Sequence, residues 1–218
     1  MKKNFMKMMA VGAVAMGGSM GAMAQDVNLP APDMKMQSMG VVEALATRHS
    51  VRNFSNKALS QQELSNLCWA ALGKARDDEH RTAPTAMNRK EIRLFVFSAE
   101  KVWEYNAREN SLRFVVDGDH RNLVAGGKAF SQDFVMDAPV SLVMVIDFDL
   151  FGSQNEQALM MGCVDAGNVS ENINLYCQAV GLATVPRATM DVEGLKALLK
   201  LSDKQLPIMN NPVGWEKK

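Results

Sequence analysis

The run Val140-Ser141-Leu142-Val143-Met144-Val145-Ile146-Asp147-Phe148 is the strongest strand signal in the 218-residue chain. It is apolar almost without interruption and rich in valine, whereas a strand with one wet face would alternate apolar and polar residues. A continuous run of this kind indicates a strand that is covered on both faces. We therefore predict a layered fold in which helices pack against a central sheet.

The segments around this run alternate between helix and strand signals. The strongest helix signal covers residues 155–180, where apolar residues recur at helical spacing until Gly181. Ser60 and Glu63 form a capping box ahead of a helix over 64–72. The other predicted helices are 41–47, 119–126, 130–136 and 191–199, and the other predicted strands are 92–97, 102–106, 111–116, 183–186 and 204–215. Residues 102–106 and 183–186 could equally be turns, and the last strand is expected to be interrupted by Pro207 and Pro212. The alternation indicates the α/β or α+β class.

Residues 1–24 have the layout of a secretory signal peptide. Three lysines come first, an apolar run of Met, Ala, Val, Gly and Ser follows, and Ala22-Met23-Ala24 provides the small-x-small cleavage pattern. The run is too short and too rich in glycine to favour a permanent membrane helix. We expect cleavage before Gln25, an arm over residues 25–40, one domain over residues 41–218, and a periplasmic location. Sequencing the mature N terminus tests this expectation.

The charge balance argues against a nucleic-acid partner. Without the leader the chain would carry 21 basic and 24 acidic residues, because the leader holds three of the 24 lysines and arginines and no acid. Nucleic-acid binding requires a basic surface. Cys68, Cys163 and Cys177 are widely spaced in apolar runs. They indicate buried free thiols rather than one disulfide with a thiol left over, and they form no zinc motif.

Common catalytic motifs are missing from the sequence. The three histidines, His49, His80 and His120, are scattered and have no partner at metal-ligand spacing. The chain has no Gly-x-Ser-x-Gly elbow, no phosphate loop, and no Gly-x-Gly-x-x-Gly after a strand. A hydrolase, a kinase and a Rossmann dehydrogenase therefore find no support, and no catalytic or metal-binding side chain is predicted.

The octet Thr47-Arg48-His49-Ser50-Val51-Arg52-Asn53-Phe54 concentrates hydrogen-bond donors. It holds two guanidinium groups, an imidazole and a hydroxyl within five residues, directly after a predicted helix. Planar guanidinium groups bind oxyanions bidentately, so the octet suits a phosphate or another compact anion. A solvated basic turn after a helix is the alternative.

The octet resembles the flavin-phosphate signature of the nitroreductase family, Arg-(Arg/His)-Ser-x-(Arg/Lys)-x-Phe. Four later segments resemble other motifs of that family in the same order. They are residues 81–88 (RTAPTAMN), 132–139 (QDFVMDAP), 165–185 (the central helix and Gly-Leu-Ala-Thr) and 212–218 (PVGWEKK). Thr85 replaces the usual serine of the second motif, and Lys90 replaces its frequent glutamine. Read singly, each segment also fits an ordinary loop, helix or tail.

The resemblance implies a fold and an assembly. The fold would be α+β, a three-layer α/β/α sandwich with a mostly antiparallel central sheet. Two chains would form an intertwined homodimer with two FMN molecules at the interface.

The resemblance also implies which residues contact FMN. Arg48, Ser50 and Arg52 would hold the phosphate and the ribityl chain or the N1/O2 edge, and His49 would add backbone or ring contacts. Pro84, Thr85 and Asn88 would come from the partner chain. The remaining expected contacts are Gln132, the peptide around Arg187, Ala188 and Thr189 facing N5, and Lys217, which could instead belong to a solvated tail.

The activity implied is that of an FMN-dependent oxidoreductase. A donor such as NAD(P)H and an acceptor such as a nitroaromatic or a quinone would alternate by a ping-pong scheme. An exported protein meets little NAD(P)H, so either the donor differs or the chain is not exported. The alternatives are a flavin- or anion-binding protein without turnover, or a specialised relative that oxidises azolines or dehalogenates reductively.

Overall fold

The computed structural model describes residues 25–127 and 129–218, and its largest element is an eight-stranded sheet. The predicted signal peptide lies outside the described residues. The strands are β1 (Val27–Asn28), β2 (Phe54–Ser55), β3 (Ile92–Ser98), β4 (Lys101–Asn106), β5 (Ser111–Asp117), β6 (Gly126–Gly127), β7 (Phe130–Ser131), β8 (Val140–Asp147), β9 (Ala183–Thr184) and β10 (Gln205–Glu216). The helices are α1 (Val41–Thr47), α2 (Gln61–Leu72), α3 (Arg121–Ala125), α4 (Phe148–Phe151), α5 (Glu156–Val180) and α6 (Val192–Leu199), with 3-10 turns at Ala86–Asn88 and Asp133–Asp137.

The sheet is antiparallel throughout and β8 lies near its centre. The strand order is β1-β5-β4-β3-β8-β10-β2, and β9 pairs with β10. Every residue of β8 except Asp147 is buried. The two-sided burial predicted from the apolar run is confirmed, and so is the mostly antiparallel α+β class.

The two faces of β8 belong to different hydrophobic clusters. Leu142, Met144 and Ile146 pack with residues of α2 and α5. Val143 and Val145 alternate with them and pack with residues of α3 and α6. Because side chains alternate along a strand, one short strand anchors both helical layers. The predicted three-layer arrangement follows directly from this alternation.

Helix α5 is the longest helix and crosses the sheet closely. The Asn155 side chain accepts a hydrogen bond from the N–H of Ala158 at its start, and Gly181 ends it in the left-handed conformation. Gly162 faces β8, where an added β-carbon would lie 2.7 Å from Ile146 Cδ1. The glycine therefore permits an approach that any larger residue would obstruct. The capping box of α2 is also present, because Ser60 accepts from the N–H of Glu63 and Glu63 accepts from that of Ser60.

One of the predicted helices was wrong in detail. Residues 130–136 do not form a helix, since Phe130–Ser131 pairs with Gly126–Gly127 and a 3-10 turn follows. The N–H of Gln132 donates to the carbonyl of Ala125, which turns the chain back before a helix can begin. The arm over residues 25–40 is extended as predicted, but it also contributes β1 to the sheet edge.

Strand β10 is continuous although two prolines lie within it. It pairs with β8 from Gln205 to Val213, and the register shifts between Pro207 and Met209. A bulge is where a strand can accept a residue that has no N–H to donate. The predicted interruption is therefore a register shift rather than a break.

The three cysteines are free thiols. Cys68 and Cys177 are completely buried, and burial raises the pKa of each thiol far above its ordinary value. This confirms the free-thiol interpretation, and the disulfide alternative is not formed. Among the described residues, no helix is both long enough and apolar enough to cross a membrane.

Gly162→Ala is expected to destabilise the protein by about 1–2 kcal/mol, because overpacking against β8 outweighs the higher helix propensity of alanine. Urea unfolding monitored by circular dichroism measures the change. Ile146→Val removes the nearest obstructing atom, so the double variant should lose less stability than the two single losses combined. Additive losses would contradict the contact.

Candidate functional site

The octet after α1 is an anchored turn with an outward polar face. Val51 is buried and its N–H donates to the carbonyl of Thr184 in β9, at 3.0 Å. Phe54 is buried and begins β2. Arg48 and Ser50, which precede Val51, and Arg52, which lies between the two anchors, are exposed. The two buried residues fix the turn, and the three polar side chains stay exposed to solvent.

The polar side chains of the octet are largely uncommitted. Arg48 Nε lies 4.0 Å from Glu171 Oε1 on α5, and both side chains are more than a third exposed, so this pair contributes little stability. His49 Nδ1 lies 3.1 Å from the carbonyl oxygen of its neighbour Thr47. Within the described part of the chain, the Ser50 hydroxyl and the Arg52 guanidinium make no hydrogen bond or ion pair. These groups remain available to a ligand.

The C-terminal tail lies beside the octet. The N–H of Lys217 donates to the carbonyl of Asn53 at 3.0 Å, and the Asn53 side chain donates back to the carbonyl of Lys217 at 2.9 Å. Lys217 also lines a hollow of about 280 Å³ together with Phe54, Asp137 and two residues between them. The backbone pairing thus brings the predicted lysine to the edge of the predicted anion site.

Arg187 is a buried cation whose hydrogen-bond partners are all neutral. Its guanidinium donates to the carbonyls of Val124 and Ala125, to Gln132 Oε1 and to Asn210 Oδ1, at 2.7–2.9 Å. Burial, and then the positive charge of Arg52, lowers the pKa of Arg187 to about 10. The carbonyls belong to the end of α3, where the helix dipole favours a positive charge. Arg187 therefore ties α3 and the 3-10 segment to β10.

An aromatic pair extends this cluster to the octet. The rings of Phe54 and Phe134 stack with centroids 6.3 Å apart, and the guanidinium of Arg187 lies 5.5 Å from the Phe134 ring centroid. The predicted contacts Gln132 and Arg187 therefore lie near the octet. Sequence reasoning did not identify Phe134 or Asn210 as site residues. Their contacts join residues far apart in the chain, and a local motif does not reveal such contacts.

The segment Arg187–Thr189 corrects one expectation and supports another. The N–H of Arg187 is bonded to the carbonyl of Asn210 at 2.8 Å, so it is not available to a flavin N5. The N–H groups of Ala188 and Thr189 have no acceptor among the described residues. Both residues line a hollow of about 620 Å³ with Gly127, Phe130 and neighbouring residues. Two backbone donors that are not bonded within the described residues therefore lie beside an open hollow.

The second predicted segment, Pro84–Asn88, lies elsewhere in the protomer. Its anchor is the N–H of Ala86, which donates to Asp165 Oδ2 on α5 at 2.6 Å. Glu171, beside Arg48, follows Asp165 by six residues, or about 9 Å along the helix. In the part of the chain that the structure describes, no hydrogen bond joins this segment to the octet. The single chain thus places Gln132, Arg187 and Lys217 near the octet, whereas Pro84, Thr85 and Asn88 lie apart from it.

The loop that carries these residues is held in an unusual conformation. Met87, Asn88 and Lys90 all have positive φ angles, of 51°, 55° and 57°. Each non-glycine residue in this region costs about 1 kcal/mol or more, so the surroundings must hold the loop in place. The Thr85 hydroxyl donates to Glu91 Oε2 and accepts from the N–H of Lys90, both at 2.9 Å.

Glu91 is the ionisable residue that sequence reasoning missed. It is completely buried at the start of β3, and burial, followed by contact with Asp165, raises the pKa of Glu91 to about 7. A glutamate ahead of an apolar strand carries no sequence signal for this role. In the described residues, no group of three or more His, Cys, Asp or Glu side chains could hold a metal ion.

Comparison with known proteins identifies the family. The nitroreductase family model matches residues 45–215, which is most of the chain. The candidate nitroreductase MJ1384 of Methanocaldococcus jannaschii is 24% identical over 202 residues, covering 88% of this chain and 98% of that protein. The protein therefore belongs to the nitroreductase family, and its class is that of an oxidoreductase.

Solved structures show the same fold. A candidate nitroreductase of Ralstonia eutropha JMP134 superposes with a TM-score of 0.81 at 26% identity, covering 99% of this chain and 97% of that one. A candidate NADH dehydrogenase/NAD(P)H nitroreductase of Parabacteroides distasonis superposes with a TM-score of 0.58 at 16% identity, covering 82% and 88%.

Arg187→Ala is expected to lower the free energy of unfolding by about 3–5 kcal/mol, because it leaves several buried acceptors without a donor. Arg52→Ala removes an exposed guanidinium nearby and should change stability by no more than about 0.5 kcal/mol. Chemical unfolding of both variants without added anions tests the difference. Equal, small effects would show that the Arg187 contacts do not hold the site together.

Proposed function

We propose that the protein is an FMN-dependent oxidoreductase. The observation that carries the proposal is a set of cations at and beside the octet that have few counterions. Arg48 and Arg52 belong to the octet, Arg187 is near enough to Arg52 for that charge to lower its pKa, and the tail at Lys217 is bonded to Asn53. Among the described residues, only Arg48 of these four cations has a carboxylate within ion-pair distance. Cations with so few counterions favour a bound anion. The anion expected for a member of this family is the phosphate group of a flavin.

The residues present fit FMN in number and in chemical type. Arg48, Ser50, Arg52 and Lys217 would hold the phosphate, because guanidinium, hydroxyl and ammonium groups all donate to its oxygens. The N–H groups of Ala188 and Thr189 would donate to the ring system. Bound FMN supplies hydride acceptance and donation, and the chain supplies binding, orientation and charge.

The chain's own part in turnover is to position reactants rather than to transfer protons. The carboxylate that lines the hollow beside Ala188 and Thr189, Asp191, is engaged as the N-cap of α6, where it accepts from the N–H of Gly194. A donor such as NAD(P)H and an acceptor such as a nitroaromatic or a quinone would use that space in turn, in a ping-pong scheme.

Arg48→Ala should weaken FMN binding about 10- to 100-fold, because it removes a charge-assisted hydrogen bond worth roughly 1.5–3 kcal/mol. Titration of the apoprotein with FMN, followed by quenching of flavin fluorescence, measures the dissociation constant. Arg113→Ala removes an exposed arginine on β5, remote from the octet, and should leave the constant unchanged.

The titration, followed by reduction and reoxidation assays, separates the hypotheses by three outcomes. Wild-type protein that takes up no FMN would overturn the proposal. A flavoprotein that NADH, NADPH and dithionite reduce but that passes no electrons to quinones or nitroaromatics would be a binder without turnover. Reduction by NAD(P)H followed by reoxidation with either acceptor supports the enzyme.

We also propose that the protein is a homodimer. Val41, Val42 and Leu45 of α1 are more than half exposed, and so are Met160 and Val164 of α5. Met87 at the tip of the second loop is 65% exposed. These side chains form apolar surface around the outer side of α5, and a second copy would cover them. The same contact would bring Asn88 of one chain towards the octet of the other.

Val164→Glu is expected to convert the dimer into monomers and to reduce FMN retention, because it places a charge in a surface that must lose water. Analytical ultracentrifugation gives the mass, and the ratio of flavin to protein absorbance gives the retention. Leu150→Glu is the matched control, since Leu150 is 46% exposed on α4. A wild-type monomer, or a dimer that survives Val164→Glu, would contradict this interface.

A further inference from the structure

Two buried carboxyl groups hold the strained loop from opposite sides. Glu91, at the start of β3, accepts from the hydroxyl of Thr85, and Asp165, in the middle of α5, accepts from the N–H of Ala86. Glu91 is completely buried and Asp165 is 4% exposed. The loop therefore starts between two acidic side chains that come from different layers of the fold.

The surroundings of the pair favour a shared proton. Glu91 Oε1 is buried and has no hydrogen-bond partner of the ordinary kind within the described residues. Its neighbour is the Asp165 carboxyl, and two ionised carboxylates in contact away from water would repel each other strongly. One proton between the two groups turns this repulsion into a hydrogen bond and gives the unpartnered oxygen its contact.

The charged groups on the neighbouring elements do not replace that proton. Arg93, two residues along β3, is held by Glu104 on β4 in a bidentate pair. Asp147, at the end of β8, donates its backbone N–H to the carbonyl of Glu91, and its carboxylate accepts from Gln205. Lys90 contributes its backbone N–H to the Thr85 hydroxyl. Across residues 25–127 and 129–218, neither Glu91 nor Asp165 has a cation within ion-pair distance.

We propose that Glu91 and Asp165 share one proton and that the protonated pair positions the loop Thr85–Lys90 for contact with FMN. Both are positioning residues, because they act through Thr85 and Ala86. The FMN contact rests on the proposed function, whereas the holding of the loop does not. Loss of the proton places two negative charges side by side and releases the loop from its left-handed conformation.

The proposal fixes the direction of the pH dependence. The pKa of Glu91 is raised in the fold, so the folded chain binds the proton more tightly than the unfolded chain does. The stabilisation is complete below the ordinary glutamate pKa of about 4.3 and is lost as the pH rises through about 7. Loop order and FMN affinity should both fall over this range.

Hydrogen exchange of the apoprotein tests the holding of the loop without any flavin. Protection factors, which correct for the intrinsic effect of pH on exchange, are measured for the N–H groups of Ala86 and Lys90 between pH 6 and pH 8.5. In wild-type protein they should fall roughly 10-fold over this range. In Glu91→Gln they should stay constant at the wild-type value of pH 6, because the amide accepts from Thr85 and donates to Asp165 as protonated Glu91 does.

Two further variants keep the test decisive. Asp165→Asn also removes one charge while keeping an acceptor for Ala86, so it should flatten the profile if Glu91→Gln does not fold. Glu193→Gln neutralises an exposed glutamate on α6 and should keep the wild-type profile. A flat wild-type profile, or an unchanged slope in both Glu91→Gln and Asp165→Asn, would overturn the shared proton.

FMN titration over the same pH range tests the consequence for binding. The dissociation constant of wild-type protein should rise roughly 10-fold from pH 6 to pH 8.5, and that of Glu91→Gln should not. Absence of FMN binding at every pH would refute the proposed function and leave the exchange result standing. Binding that is independent of pH while loop protection falls would refute the link between the loop and FMN.

Discussion

The close approach of α5 to the sheet at Gly162 is the constraint on which the rest of the structure depends. It fixes the distance between α5 and β8, and at this distance successive turns of the helix contact different parts of the molecule. Asp165 holds the second loop, Glu171 stands beside the octet, and Ser170 and Asn174 bond to Asn211 of β10. A helix held farther from β8 would lose these contacts together, because side-chain hydrogen bonds weaken steeply beyond about 3.2 Å.

Two ionisable groups near the candidate site are buried without an oppositely charged partner, which is energetically unfavourable. Arg187 has only neutral partners and the positive charge of Arg52 nearby, and Glu91 has a second carboxyl instead of a cation. Buried charges without partners are expensive, and such departures concentrate where a protein does chemistry. A bound anion would offset the first cost, and a proton offsets the second. The stability of the site therefore depends on what is bound to it.

Much of the fold followed from local patterns in the sequence. The unbroken apolar run of β8, the helical spacing of α5 and the capping box at Ser60 each depend on residues close in the chain, and the structure has all three. The β6–β7 hairpin did not follow, because it depends on the carbonyl of Ala125 accepting from Gln132. The partners of Arg187 were hidden for a different reason, since they lie 23 to 63 residues away in the chain.

The placement of the two flavin motifs argues for assembly more strongly than either motif does alone. The octet and the loop at Asn88 meet α5 at different turns, so under the proposed function one chain would present two half-sites. The elements beside them, α1, α5 and the turn at Met87, carry exposed apolar side chains, and such surface is costly for a chain that works alone. A two-fold arrangement would cover that surface and complete two equivalent sites at once. The loop anchored by Glu91 and Asp165 would then carry a proton-dependent contact from one protomer into the site of the other.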